Sequence, residues 1–212
     1  MMKLIDRTLT DFTEELSGNS PAPGGGSTAA VEGAFGAGLI SMVSELTLGS
    51  KKYEEYHPKA EKIRGEAVLL MNELLKTVDE DTEAFNLVSS AFALPKSNDE
   101  EKAARRAAIQ NGLKQCCLPP LKVMRKSYET LLLAEQLLGS YNTSTASDLG
   151  TGIASLRAAA HGAYLNVLIN AAGIKDETYA AEKKAEAEEL RKSIEELSDR
   201  LSGEILEELE QQ

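Results

Sequence analysis

Two stretches of this chain, Ser27 to Leu48 and Ala146 to Ala172, keep helical spacing yet are built largely from glycine and alanine. The first carries Ala29, Ala30, Gly33, Ala34, Gly36, Ala37 and Gly38; the second carries Gly150, Gly152, Ala154, Ala158, Ala159, Ala160, Gly162 and Ala163. A glycine inside a helix costs about 1 kcal/mol against alanine. A run of them is tolerable where something packs very close to the backbone. Two such helices in 212 residues imply either a tightly packed core or a symmetric dimer interface, and composition alone favours neither.

The rest of the chain is also helical in period, with no run of alternating β-branched residues to suggest a strand. A short helix is predicted from about Thr10 to Leu16, ended by Gly18-Asn19. Pro58 opens a long one through Ile63, Ala67, Leu70, Leu74, Val78 and Phe85 to about Phe92. Ser97 or Asn98 caps the next, with Asp99, Glu100 and Glu101 in its first turn, and Pro119-Pro120 must break or kink it near Cys117. Gly139 stops it after Leu138. The last helix runs from about Asp176 to Leu209 with a near-heptad seam at Leu190, Ile194, Leu197, Leu201 and Ile205. The fold class expected is all-α: a single domain over residues 1–212, an up-and-down bundle of about six to eight helices, with the Gly/Ala-rich pair at a dimer interface.

Aromatic residues make up 5% of the chain and Trp is absent, so the core must be aliphatic. The net charge of −11 argues against nucleic acid. It is uneven: Asp176 to Gln212 holds 13 acidic and 5 basic residues, and the 21 acidic and 18 basic elsewhere leave only −3. The body therefore has room for a local basic pocket. Met1 to Arg7 lacks the apolar region of a signal peptide, and the apolar run Ala29 to Val43 is short for a membrane span and carries Glu32. The two cysteines, Cys116 and Cys117, are adjacent and offer no disulfide framework. A cytoplasmic protein without membrane attachment is expected.

Ser20-Pro-Ala-Pro-Gly-Gly-Gly-Ser27 is the densest motif. Glycine before a helix lets a ligand approach free N–H groups. The segment is neither a P-loop, since no Gly-Lys-Ser/Thr follows, nor a dinucleotide fingerprint, since no strand precedes it. Taken alone such a loop is more often structural.

With Thr28-Ala-Ala30 after it, this block closely resembles the signature of the cyclodeaminase domain of formiminotransferase-cyclodeaminase and of its stand-alone relatives, including methenyltetrahydrofolate cyclohydrolases. Further segments match in order: Leu46 to Tyr53, a Gly-Lys-rich turn in which Ser50 departs from the pattern; Asp81 to Phe85 followed by Ala91 to Lys96; and Ala146-Ser147-Asp148 through Asn166-Val167 and Asn170. The resemblance covers nearly the whole chain. It implies an all-helical homodimer, acting without metal or cofactor on tetrahydrofolate derivatives, with a formiminotransferase as a possible partner.

The chemistry implied is attack on an amidine carbon, by N10 on a formimino group with loss of ammonia or by water on a methenyl bridge. Both need a proton acceptor and a donor. Asp81 and Asp148 are the candidates; on bland readings Asp81 is a solvated acid beside Asp79, Glu80 and Glu83, and Asp148 a helix N-cap. Phe85, one turn after Asp81, would pack on the pterin. Asn166 and Asn170, at i and i+4 in an apolar helix, suit the pterin edge or equally an interhelical hydrogen-bond pair. Lys51 and Lys96, with Lys52 beside Lys51, would hold the glutamate tail, single or polymeric. Pro23, Gly24, Gly25, Gly26 and Ser27 form one wall of the pocket on this reading. His57 and His161 do not make a metal site and are read as packing or capping residues, and the cysteines as packing residues. The competing reading is a non-catalytic helical dimer or scaffold using the last helix; a third is a folate-binding member without activity, for which Thr28 and Ser50 leave room.

Overall fold

In a computed structural model, which describes residues 3–211, the chain forms seven α-helices among the described residues. They are α1 (Leu9–Leu16), α2 (Gly25–Leu48), α3 (His57–Phe92), α4 (Asp99–Cys116), α5 (Leu118–Leu137), α6 (Ala146–Ala172) and α7 (Glu177–Glu210), with three short 3₁₀ turns. The expected all-α bundle is what forms. The caps follow the local chemistry: Thr8, Asn98 and Asp176 each accept a backbone N–H of the first turn of α1, α4 and α7. Pro119 and Pro120 divide α4 from α5 at Cys117 instead of bending one long helix.

Helix directions can be read from side-chain pairs. Gly26 meets Asp81, Gly33 meets Leu74 and Glu45 pairs with Arg64, so α2 and α3 are antiparallel. Gly36 meets Leu156 and Gly25 meets Asn166, so α2 and α6 are antiparallel too. Tyr164–Glu188 and Arg157–Asp199 set α7 antiparallel to α6. α5 packs against α2, α3, α6 and α7, and its Leu121, Met124, Leu131 and Leu137 are fully buried.

The Gly/Ala stripes pack within the chain. A Cβ on Gly36 would lie 2.6 Å from Leu156 Cγ and 2.9 Å from the Gly152 carbonyl oxygen, so this crossing admits only hydrogen. The other faces of α2 and α6 stay open, with Phe35, Met42, Leu46, Leu165 and Ile169 all exposed. α2 is longer than the apolar run read from sequence and is long and apolar enough to cross a membrane by composition; half of its most apolar window is buried against the other helices. The α7 seam is a correction to the scaffold reading: Ile194, Leu197, Leu201 and Ile205 are buried in the chain's own core, so the seam is not free to bind a partner.

Candidate active site

The first turn of α2, the middle of α3, the last two turns of α6 and the end of α4 converge at one end of the α2–α6 pair. Asp81 lies at their centre. Ser27, at 0% exposure, donates its hydroxyl to Asp81 Oδ2 at 2.9 Å and lies 3.3 Å from Thr82 Oγ1. Gly26 presses directly on the carboxylate: a Cβ there would stand 2.2 Å from Asp81 Oδ1. Gly24 is the N-cap and, lacking a side chain, caps nothing, while Thr28 turns its hydroxyl back onto the Gly24 carbonyl. Pro23 is buried after a cis Ala22–Pro23 bond.

Partial burial raises the Asp81 pKa, because the charged form loses water; the Ser27 hydroxyl and amide pull in the other direction by stabilising the carboxylate. Desolvation dominates. Cys116 sits near enough that the Asp81 charge, added to burial, helps push its thiol up to about 11. It is therefore a neutral thiol at pH 7 and no nucleophile.

The two asparagines divide their roles. Asn166 Nδ2 donates to the Gly162 carbonyl at 2.9 Å and packs over Gly25, where a Cβ would meet it at 3.2 Å. Asn170 Nδ2 donates to the Cys116 carbonyl at 2.8 Å, tying α6 to the end of α4 just before the proline break. Asn170 thus makes the interhelical bond, and Asn166 faces the glycine loop. Phe85 is half-buried one turn beyond Asp81.

Three sequence candidates fall elsewhere. Lys96 is exposed in the loop after α3, some 16 Å of helix beyond Asp81. Lys51 is exposed in the 3₁₀ turn after α2, about 35 Å along that helix from Gly25. Asp148 is half-buried in the first turn of α6, about 27 Å along the helix from Asn166. The N-cap position of α6 is Thr145, so Asp148 is not the cap. Lys51 and Asp148 share the opposite end of the α2–α6 pair, where Asn142 donates its backbone N–H to Thr47 at 2.9 Å. Sequence reasoning passed over Thr82 and set Cys116 aside as packing. The Cys-Cys-Leu-Pro-Pro break was the one signal that the end of α4 turns at a site.

The arrangement offers a desolvated carboxylate, held by a buried hydroxyl, beside a helix N-terminus whose glycine N–H groups have no side-chain cap. It can take and return a proton at a centre that approaches over the glycine backbone. Residues 8–189 match the family model described as formiminotransferase-cyclodeaminase. A methenyltetrahydrofolate cyclohydrolase of Methylorubrum extorquens is 39% identical over 92% of this chain and 94% of its own length. The formimidoyltransferase-cyclodeaminase of Mus musculus is 34% identical over 83% of this chain, a match that spans 32% of the mouse protein. The crystal structure of a formiminotetrahydrofolate cyclodeaminase from Thermotoga maritima superposes with a TM-score of 0.83 at 30% identity, covering 94% of this chain and 96% of that one. With a family match over most of its length and end-to-end relatives of the same fold, the chain belongs to the formiminotransferase-cyclodeaminase family.

Proposed function

We propose that this protein is an enzyme of folate one-carbon metabolism that acts on a C–N bond at the amidine carbon of a tetrahydrofolate derivative. The observation that carries the chemistry is Asp81, a carboxylate of raised pKa fixed by Ser27 beneath Gly26. With a methenyl bridge, water adds to the bridging carbon while Asp81 accepts its proton. The tetrahedral carbon then collapses: one bridge C–N bond breaks as the departing nitrogen takes the proton from Asp81, and the remaining hydroxyl proton is released to solvent as the formyl C=O forms. With a formimino group, N10 is the nucleophile, its proton passes to Asp81, and the leaving nitrogen departs protonated as ammonia. Both paths consist of proton transfers around one tetrahedral carbon, so one site serves either, and neither calls for a cofactor.

Asn166 and Phe85 are assigned to the pterin, Lys96 to the glutamate tail of the substrate, and Asp148 and Lys51 to a second set of contacts. The open apolar face of α2 and α6 supports a homodimer. A formiminotransferase is the natural source of a formimino substrate, and the mouse relative carries both names.

Side-by-side assay of one preparation on methenyltetrahydrofolate, by loss of its near-ultraviolet absorbance, and on formiminotetrahydrofolate, by ammonia release, tests the proposal. Acceleration of either is the expected result; acceleration of neither removes the enzymatic reading.

A further inference from the structure

Helix hydroxyls in this chain commonly turn back on their own helix. Thr77 donates to the Glu73 carbonyl at 2.8 Å, Thr47 to Val43 at 2.8 Å and Thr130 to Lys126 at 2.7 Å, each one turn earlier. Thr82, in the middle of α3, does not. Among the described residues its hydroxyl has one partner, Ser27 Oγ across the α2–α3 contact, at 3.3 Å. Ser27 is likewise without a bond to its own helix, and its hydroxyl meets Asp81 Oδ2 and Thr82.

Valence fixes the proton directions in this trio. An ionised carboxylate can only accept, so Ser27 gives its single proton to Asp81 Oδ2. Toward Thr82 it is left with lone pairs, and Thr82 donates. Ser27 is 0% exposed, so bulk water does not reach it in place of Thr82. A hydroxyl that accepts one hydrogen bond is polarised and donates the next more strongly. The chain therefore runs from Thr82 to Ser27 to Oδ2.

The two carboxylate oxygens are thereby unequal. Oδ2 is held by the chain. Oδ1 has no side-chain donor among the described residues, and the residue against it is Gly26, which brings no side chain. Asp81 as a whole is half-buried. A proton added at Oδ1 leaves Ser27 bonded to Oδ2, now a carbonyl-type oxygen, and no hydroxyl has to turn.

The groups around Asp81 leave this balance to the hydroxyls. On α3, Glu80 is paired with Lys122 at 2.9 Å, Asp79 accepts the Leu4 N–H at 2.7 Å, and Glu83 is exposed. In the N-terminal segment Arg7 is paired with Glu15, and Lys3 lines a groove with Asp79, Glu80 and Glu83 that does not include Asp81. α2 brings Gly26 and Ser27, α6 brings the amides of Asn166 and Asn170, and the end of α4 brings the Cys116 thiol, neutral at pH 7. The competition at Asp81 is between lost water on one side and the Ser27 hydroxyl and amide on the other.

We infer that Thr82 is a positioning residue for the proton transfer: through Ser27 it pins Asp81 Oδ2 and leaves Oδ1 as the atom that takes the substrate's proton and gives it back. In the addition step the nucleophile's O–H or N–H bond breaks as the Oδ1–H bond forms. In the collapse step Oδ1–H breaks as the departing nitrogen gains its N–H. The inference rests on the folate reading above and adds to it a residue that acts through another.

The test compares Thr82→Val, which nearly keeps the shape and removes the hydroxyl, with Thr82→Ser, which keeps the hydroxyl. One readout needs no substrate: the Asp81 carboxyl carbon is titrated by carbon NMR in aspartate-labelled protein, its signal assigned by its loss in Asp81→Asn. The other is the pH profile of kcat and kcat/KM on methenyltetrahydrofolate and formiminotetrahydrofolate. Ser27→Ala removes a hydrogen bond to the charged group and should raise the Asp81 midpoint by about one pH unit, whereas Thr82→Val removes its reinforcement and should raise it by about half a unit. At the plateau of the profile Thr82→Val is expected to lower kcat about threefold with KM unchanged. Thr82→Ser should restore both midpoint and kcat. A Thr82→Val protein with the wild-type midpoint overturns the chain. A shifted midpoint with wild-type kcat overturns its part in the reaction, as does a Thr82→Ser protein that behaves like Thr82→Val. A wild-type protein inert to both folates overturns the functional reading and the catalytic role with it, and the titration still decides whether Thr82 acts on Asp81.

Discussion

Gly26 and Asp81 stand in direct contact across α2 and α3, with so little space that even a methyl group at residue 26 would lie 2.2 Å from the carboxylate oxygen. The glycine is what allows a helix N-terminus and a carboxylate to occupy one point. Gly26→Ala is therefore expected to push Asp81 out of place and lower turnover at least tenfold, about 1.4 kcal/mol of transition-state stabilisation, with circular dichroism unchanged. Wild-type kinetics in this variant would show that the position of Asp81 does not matter to the reaction.

Asp81→Asn separates chemistry from stability. The folded-state pKa of Asp81 is raised, so its burial favours the protonated form and works against the folded state once the group ionises. The neutral amide keeps the shape and removes that cost. Turnover is expected to fall at least tenfold while the melting temperature at pH 7 holds or rises, the gain fading in acid below about pH 4, where the native carboxyl is protonated in both states. A lower melting temperature at neutral pH would contradict the desolvation account.

The same shift fixes the acid side of the rate profile. A base must be ionised to accept a proton, so kcat/KM should fall with decreasing pH around a midpoint above the ordinary Asp value of about 3.9. That limb should be absent from the residual activity of Asp81→Asn. An acid limb unchanged in the variant would assign it to another group.

Gly36→Ala tests the crossing of α2 and α6. Alanine gains about 1 kcal/mol of helix propensity, but its methyl meets Leu156 Cγ at 2.6 Å and the Gly152 carbonyl oxygen at 2.9 Å. One of these neighbours is backbone and yields little. Overpacking of this kind costs about 1–3 kcal/mol, so urea unfolding should show a net loss of stability. A gain would mean that the helices separate freely.

Removal of residues 192–212 bears on the role of α7. Ile194, Leu197, Leu201 and Ile205 are buried, and each contributes about 1.5–3 kcal/mol of burial. The shortened chain should lose its cooperative thermal transition. A truncated protein that still melts cooperatively would return α7 to the role of an accessory arm.

The helices were legible in the sequence because their signals are local. Pro58, Asn98, Pro119-Pro120 and Gly173 punctuate an otherwise continuous helical period, and the observed ends fall at or next to them. Asp81 and the glycine loop were legible only through their likeness to a family, because nothing local distinguishes Asp81 from Glu80 or Glu83. Their meeting depends on the antiparallel register of α2 on α3, which brings residues 54 positions apart into one hydrogen bond. The α7 seam misled for the complementary reason: its apolar spacing is the same whether it buries against the chain's own core or against another protein. The split between Asn166 and Asn170 was closed to sequence as well, since it turns on where the end of α4 lies.

The Gly36–Gly152 crossing reaches beyond packing. Where two helices touch through main chain, their separation is set by covalent geometry and not by which rotamers their side chains occupy. Asn166 and the Gly25–Ser27 turn lie on these same two helices, one on each. The placement of Asn166 over this turn is therefore fixed by the two backbones. Fast side-chain motion in the core does not shift one against the other, so the arrangement around Asp81 is in place before any ligand arrives.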